Sequence, residues 1–160
     1  MRTLFEFVNR AALALWIGGL AFFSFIVAPT LFGNLEPDAA GNLVRPILDR
    51  YARLGVACGA IGALSAIALA RLDPERRGRR WAAGILAGMI VCTLYASEVI
   101  APQAHELRVA MHAPGLSETA AAERRAAFGR AHRRSVMVHG AVLLGGLILL
   151  ASEARRAAES

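Results

Sequence analysis

Long apolar stretches alternate with short charged ones along the whole chain. The first stretch, residues 11 to 32 (AALALWIGGLAFFSFIVAPTLF), contains no charged residue. As a helix rising about 1.5 Å per residue it covers roughly 33 Å, enough to cross a hydrocarbon core of about 30 Å. Three more spans are predicted at residues 54–70, 81–101 and 136–151. The pattern therefore predicts an all-α fold, an integral membrane four-helix bundle with short amphipathic interfacial segments. A single domain covers residues 1–152, and a polar tail that frays covers 153–160.

Between and within the spans, proline and glycine set the expected breaks. Pro29 lacks an amide donor and should kink the first helix near its end. Residues 34–51, with Pro37, Gly41 and Pro46, read as a loop carrying a short amphipathic piece around Leu43, Ile47 and Leu48 that lies along the membrane surface. Pro102 should bend the third helix by freeing the carbonyl of Glu98, and residues 103–113 can continue as helix beyond the bilayer. Ser117 opens an alanine-rich helix continuous with the fourth span. Helices already surrounded by hydrocarbon gain nothing from hiding apolar surface, so they associate where small residues let backbones approach. Gly18 and Gly19, then the GxxxG pairs Gly55/Gly59 and Gly84/Gly88, are the expected packing positions.

Composition fits a membrane domain, with 56% hydrophobic residues and a positive mean hydropathy. The net charge is +6, and all 18 basic residues are arginine. In a soluble chain that excess would point to nucleic acid; here the arginines flank the spans, where anionic headgroups and the positive-inside rule account for them, and nucleic acid is excluded. Residues 71–80 (RLDPERRGRR) place five arginines in one short loop, which predicts a cytoplasmic loop and, with an even number of spans, two cytoplasmic termini. The loop after the third span is also basic, and the shorter loop is given more weight. The expected location is the bacterial inner membrane, multi-pass. Arg2 and Arg10 precede the first apolar run as in a secretory signal, but the run is long and no small-residue cleavage site precedes Pro29, so it reads as a retained span. Cys58 and Cys92 sit singly in apolar spans and read as packing residues.

No P-loop, HExxH, GxSxG or dinucleotide fingerprint is present. Candidate chemistry rests on ionisable residues near membrane depth, which are costly to bury. Glu98, His105 and His112 recur every seven residues, as do His132 and His139 on the last helix. On regular helices such stripes drift only about 20° per heptad, so two facing stripes could hold a metal ion or ligate a haem. Glu98, His132 and His139 are the leading ligand or metal candidates; His105, His112 and the thioether of Met137 are weaker ones. Arg125 and Arg130 are the expected anion or headgroup contacts.

The chain resembles the transmembrane-protein-205-like family of membrane domains of unknown function. The resemblance covers nearly the whole chain and rests on Trp16, Gly18, Gly19, Pro29 and Phe32, on Ala40 and Gly41, on Pro102, and on Phe128, His132 and Ser135. It implies a compact four-helix membrane bundle, and the association of eukaryotic relatives with resistance to platinum drugs hints at metal or drug handling. The layout is also similar to copper resistance protein D and to the membrane-bound haem-carrying protoporphyrinogen oxidase, although no histidine stands in the first span here.

The expected function is non-enzymatic: binding or passing a metal ion or small solute through a polar intramembrane site, with copper or haem as the candidate cofactors. A haem-dependent redox enzyme is one alternative. A structural partner of another membrane protein, or of a second copy of itself, is the other.

Overall fold

A computed structural model describes residues 2–72, 80–111, 113 and 115–159. Four long helices and no strand occur among the described residues. Helix α1 is α-helical over Arg2–Phe22, passes through a π-helical turn at Phe23–Val27, and resumes over Ala28–Asn34. Helix α2 covers Pro37–Leu72. Helix α3 repeats the form of α1, with α-helix over Arg80–Tyr95, a π turn at Ala96–Ile100 and α-helix over Ala101–Ala110. Helix α4 runs unbroken over Glu118–Glu159. All four are long and apolar enough to cross a membrane, and the chain is accordingly a multi-pass membrane protein. The spanning helices are 30 to 38 residues long, well beyond the roughly 20 that a bilayer needs, so they tilt or project past the hydrocarbon.

The expected surface loop at 34–51 is instead two residues of turn followed by helix. Leu35 is extended, the Ala40 amide donates to the Glu36 carbonyl at 2.9 Å, and Pro37 takes the first helical position, where its missing amide would have had no helical acceptor. Asp38 in the first turn complements the helix dipole. Pro46, read as a breaker, lies inside the helix. The tail expected to fray is likewise helical to Glu159. Its Glu153 is 5% exposed and stands 3.8 Å from the Arg10 Nε, near the other end of the bundle from Pro29 and Pro102. The arginine-rich loop of residues 71–80 falls largely outside the described residues, as does His112.

In sequence order each helix packs on the next, and α4 closes the ring against α1. The centre is Trp16, wholly buried, with Leu13, Ile17 and Leu20 on the same face of α1, Cys58 on α2, Leu86 and Met89 on α3, and Val142 and Leu149 on α4. Gly55 and Gly59 make room for the indole: a Cβ at Gly55 would lie 2.5 Å from the Trp16 Nε1, and one at Gly59 3.0 Å from its Cζ3 and 2.7 Å from the Ile90 Cγ1. Tyr51 adds a buried hydroxyl bond of 3.1 Å to the Trp16 carbonyl, with its ring 3.4 Å from where a Gly19 Cβ would sit. Gly18, Gly84 and Gly88 meet nothing within 4 Å, so these three face away from the bundle.

Candidate functional site

The π turns begin seventy-three positions apart and share a local pattern of serine, two β-branched residues, alanine and proline, Ser24-Phe25-Ile26-Val27-Ala28-Pro29 in α1 and Ser97-Glu98-Val99-Ile100-Ala101-Pro102 in α3. In both, proline follows two residues after the π turn. A proline ring collides with the carbonyl four residues back, here Phe25 or Glu98, and the wider π turn moves that carbonyl aside. The cost is a local break in the regular packing surface, at the same level in two of the four helices.

At that level the bundle encloses a cavity of about 610 Å³, within the usual range for small-molecule sites. Leu20, Ile100 and Leu143 form its apolar floor, and Phe23, Phe25 and Phe32 of α1 line one side. Its polar groups come from all four helices: Ser24 on α1, Arg45 on α2, His105 and Arg108 on α3, and His132, Ser135 and His139 on α4. On the α2–α3 side, the Arg108 Nη2 donates to the Asn42 Oδ1 at 2.7 Å, and its guanidinium lies directly on Gly41, where a side chain would collide with it. Nearby, the Arg124 guanidinium donates to the Ala110 carbonyl, tying the start of α4 to the end of α3. Ser117 caps α4 by accepting the Ala120 amide at 3.3 Å.

The histidines differ in their partners. His139 Nδ1 lies 2.8 Å from the Ser135 carbonyl and 3.3 Å from the Ser135 hydroxyl. A carbonyl only accepts, so the neutral ring carries its proton on Nδ1 and leaves Nε2 as an acceptor. His132 stacks on Phe128 with ring centres 6.5 Å apart and planes 16° from parallel, which fixes its orientation at the cavity wall. His105 has a buried Nδ1 with no hydrogen-bond partner. A buried polar nitrogen without a partner is costly, and this one belongs to a residue of the cavity wall.

The heptad expectation for Glu98 and His105 does not survive the π turn. A π turn holds an extra residue, which rotates the helix beyond it by roughly 100° relative to a regular one. His105 reaches the cavity, whereas Glu98 is exposed, accepts a 3.3 Å bond from its neighbour Ser97, and does not line it. His132 and His139, on unbroken α4, both line it. Met137 is 67% exposed and stands outside, and Arg125 and Arg130 are exposed on α4 and contribute nothing to the wall. Among the described residues no group of three or more His, Cys, Asp or Glu could hold a metal ion. Arg45 and Arg108, which do line the cavity, carry no motif; the signal that would have found this level of the fold is the duplicated Ser-to-Pro segment.

The family described as Domain of unknown function (DUF4149) matches residues 11–113, which take in most of α1 and all of α2 and α3, with Arg45, His105 and Arg108 of the cavity wall. No curated protein and no solved structure matches the chain.

Proposed function

Since the chain belongs to the DUF4149 family, whose domain has no assigned activity, we propose a function from the cavity alone: it binds a small solute with an apolar body and a polar end. The observation that carries this reading is the make-up of the wall, a largely apolar chamber into which three helices bring two arginines and three histidines. Such a chamber rewards a ligand that supplies hydrogen-bond acceptors at one end and covers Leu20, Ile100 and Phe23 with the other. His105, His132 and the Nε2 of His139 bind by hydrogen bonding in this reading, rather than as a metal-ligand set. Glu98, Met137, Arg125 and Arg130 stay outside the site.

Placement in the bacterial inner membrane with both termini cytoplasmic, and kinship with the transmembrane-protein-205-like proteins, complete the proposal. In that orientation the cavity lies toward the outer side, because it is lined by the later turns of α1 and α3 and the first turns of α2. A second role, assembly with another copy, is favoured by one observation, that Gly84 and Gly88 face open space on the same side of α3.

Native mass spectrometry of protein extracted gently from its own membrane tests the binding role. The expected result is a stoichiometric small-molecule adduct on the wild type that is lost in His132→Ala and His105→Ala, with helicity and Tm retained. A wild type without adduct, whose Tm no fraction of a membrane extract raises, would overturn it. A visible spectrum of the same sample shows a Soret band if the histidines instead hold haem.

A further inference from the structure

Residues of the cavity wall also lie on the outer surface of the bundle, where lipid would touch them. Phe25 is 72% exposed and Val136 58%, yet both line the cavity. The packing shows why. Up to Phe22, α1 lies against both α2 and α4; beyond it, the π turn and the last turns of α1 stay with their own helix and with α2 and make at most marginal contact with α4. At the same level α4 stays with the π turn and last turns of α3. The ring of helices therefore parts between the end of α1 and α4, whereas the α2–α3 side is bridged by Arg108 and Asn42.

Resting on the binding role proposed above, we infer that the ligand is an anionic amphiphile drawn from the bilayer, which enters sideways between α1 and α4. Its chain lies in the gap beside Phe25 and Val136, and its phosphate or carboxylate head reaches Arg45, with His105 and His132 donating to it. Charge complementarity selects the head: among the described residues the cavity wall carries two arginines and three histidines and no Asp or Glu. The lateral gap selects a lipid-like body, since a water-soluble anion would need no opening framed by exposed phenylalanine and valine.

The test uses the full chain in nanodiscs of phosphatidylcholine doped with phosphatidic acid that bears a photoreactive diazirine in its acyl chain. Crosslinks are expected to concentrate on the α1 and α4 segments around Phe25 and Val136. Unlabelled phosphatidic acid or oleate should compete them away, and neutral diacylglycerol should not. Arg45→Gln should cut the yield at that site roughly tenfold, equivalent to about 1.4 kcal/mol. Val136→Trp, which fills the gap and leaves Arg45 in place, should cut it as far and so covers the case of a misfolded Arg45 variant. Equal labelling by a diazirine-bearing diacylglycerol, indifferent to Arg45→Gln, would overturn the inference. Full competition by inorganic phosphate or acetate would also overturn it, by making the ligand a soluble anion, while leaving the binding role intact. Loss of every adduct from the wild type would instead sink the binding role itself.

Discussion

Replacing Gly55 by alanine adds one methyl group against the buried Trp16 indole at the centre of the bundle. The new Cβ would stand 2.5 Å from the Trp16 Nε1 and 3.1 Å from its Cδ1 and Cε2, against an ordinary carbon contact of about 3.5–4.0 Å. The indole cannot retreat cheaply, because Trp16 has no exposed surface and Gly59 holds its far edge. Overpacking of this kind costs about 1–3 kcal/mol, offset by up to about 1 kcal/mol from the better helix propensity of alanine. The net loss is about 1–2 kcal/mol, which at roughly 2–4 °C per kcal/mol lowers Tm by roughly 2–8 °C. Gly84→Ala and Gly88→Ala make the same chemical change where nothing lies within 4 Å, so their Tm should hold or rise. In a Trp16→Phe background the atom that the methyl group strikes is gone, and Gly55→Ala should cost less than about half as much. Thermal unfolding in one detergent, followed by near-UV circular dichroism, reads all of these variants. If Gly55→Ala tracks Gly84→Ala, or if its cost is unchanged in the Trp16→Phe background, the indole is not wedged against α2 and the account of the core fails.

Three other outcomes follow from features of the fold. Glu153→Gln leaves Arg10 facing a neutral partner; with one side chain 7% and the other 39% exposed, the cost falls between those of buried and surface pairs, about 1–3 kcal/mol, and Arg10→Glu/Glu153→Arg should recover part of it in a Tm measurement. Gly115 has φ +76°, so Gly115→Ala should cost about 1–2 kcal/mol by the same measurement, while Gly33→Ala, in open space within α1, should not. Pro29→Ala and Pro102→Ala together remove the collisions that the π turns relieve; regular helix should return, the cavity should shrink, and adduct retention in native mass spectrometry should fall without loss of Tm.

The spans and the bundle were legible because an uncharged run as long as residues 11–32 has few other uses, and because four such runs must pack together. Helix ends were less so, since proline signals a break without saying on which side of it the helix lies. Pro37 begins a helix, Pro46 sits inside one, and Pro29 and Pro102 follow π turns that only the recurrence of the Ser-to-Pro segment marks. The candidate site suffered from the same blindness. A heptad argument assumes 3.6 residues per turn throughout, which held for His132 and His139 on α4 and failed across the π turn between Glu98 and His105. Nor does spacing reveal direction: Gly55/Gly59 and Gly84/Gly88 are the same pattern, yet one faces the Trp16 indole and the other faces outward.

The matched breaks in α1 and α3 also bear on symmetry. Because α2 returns the chain to its starting side, the two Ser-to-Pro segments run in the same direction, and an axis along the membrane normal would relate the two hairpins. Such an axis maps the hollow end of the molecule onto itself, and never onto the tight end where Arg10 meets Glu153. Carriers built from inverted halves reach their second state by exchanging the conformations of those halves. A pair of parallel hairpins offers no such exchange, so a second state of this hollow has to come from one hairpin rocking against the other.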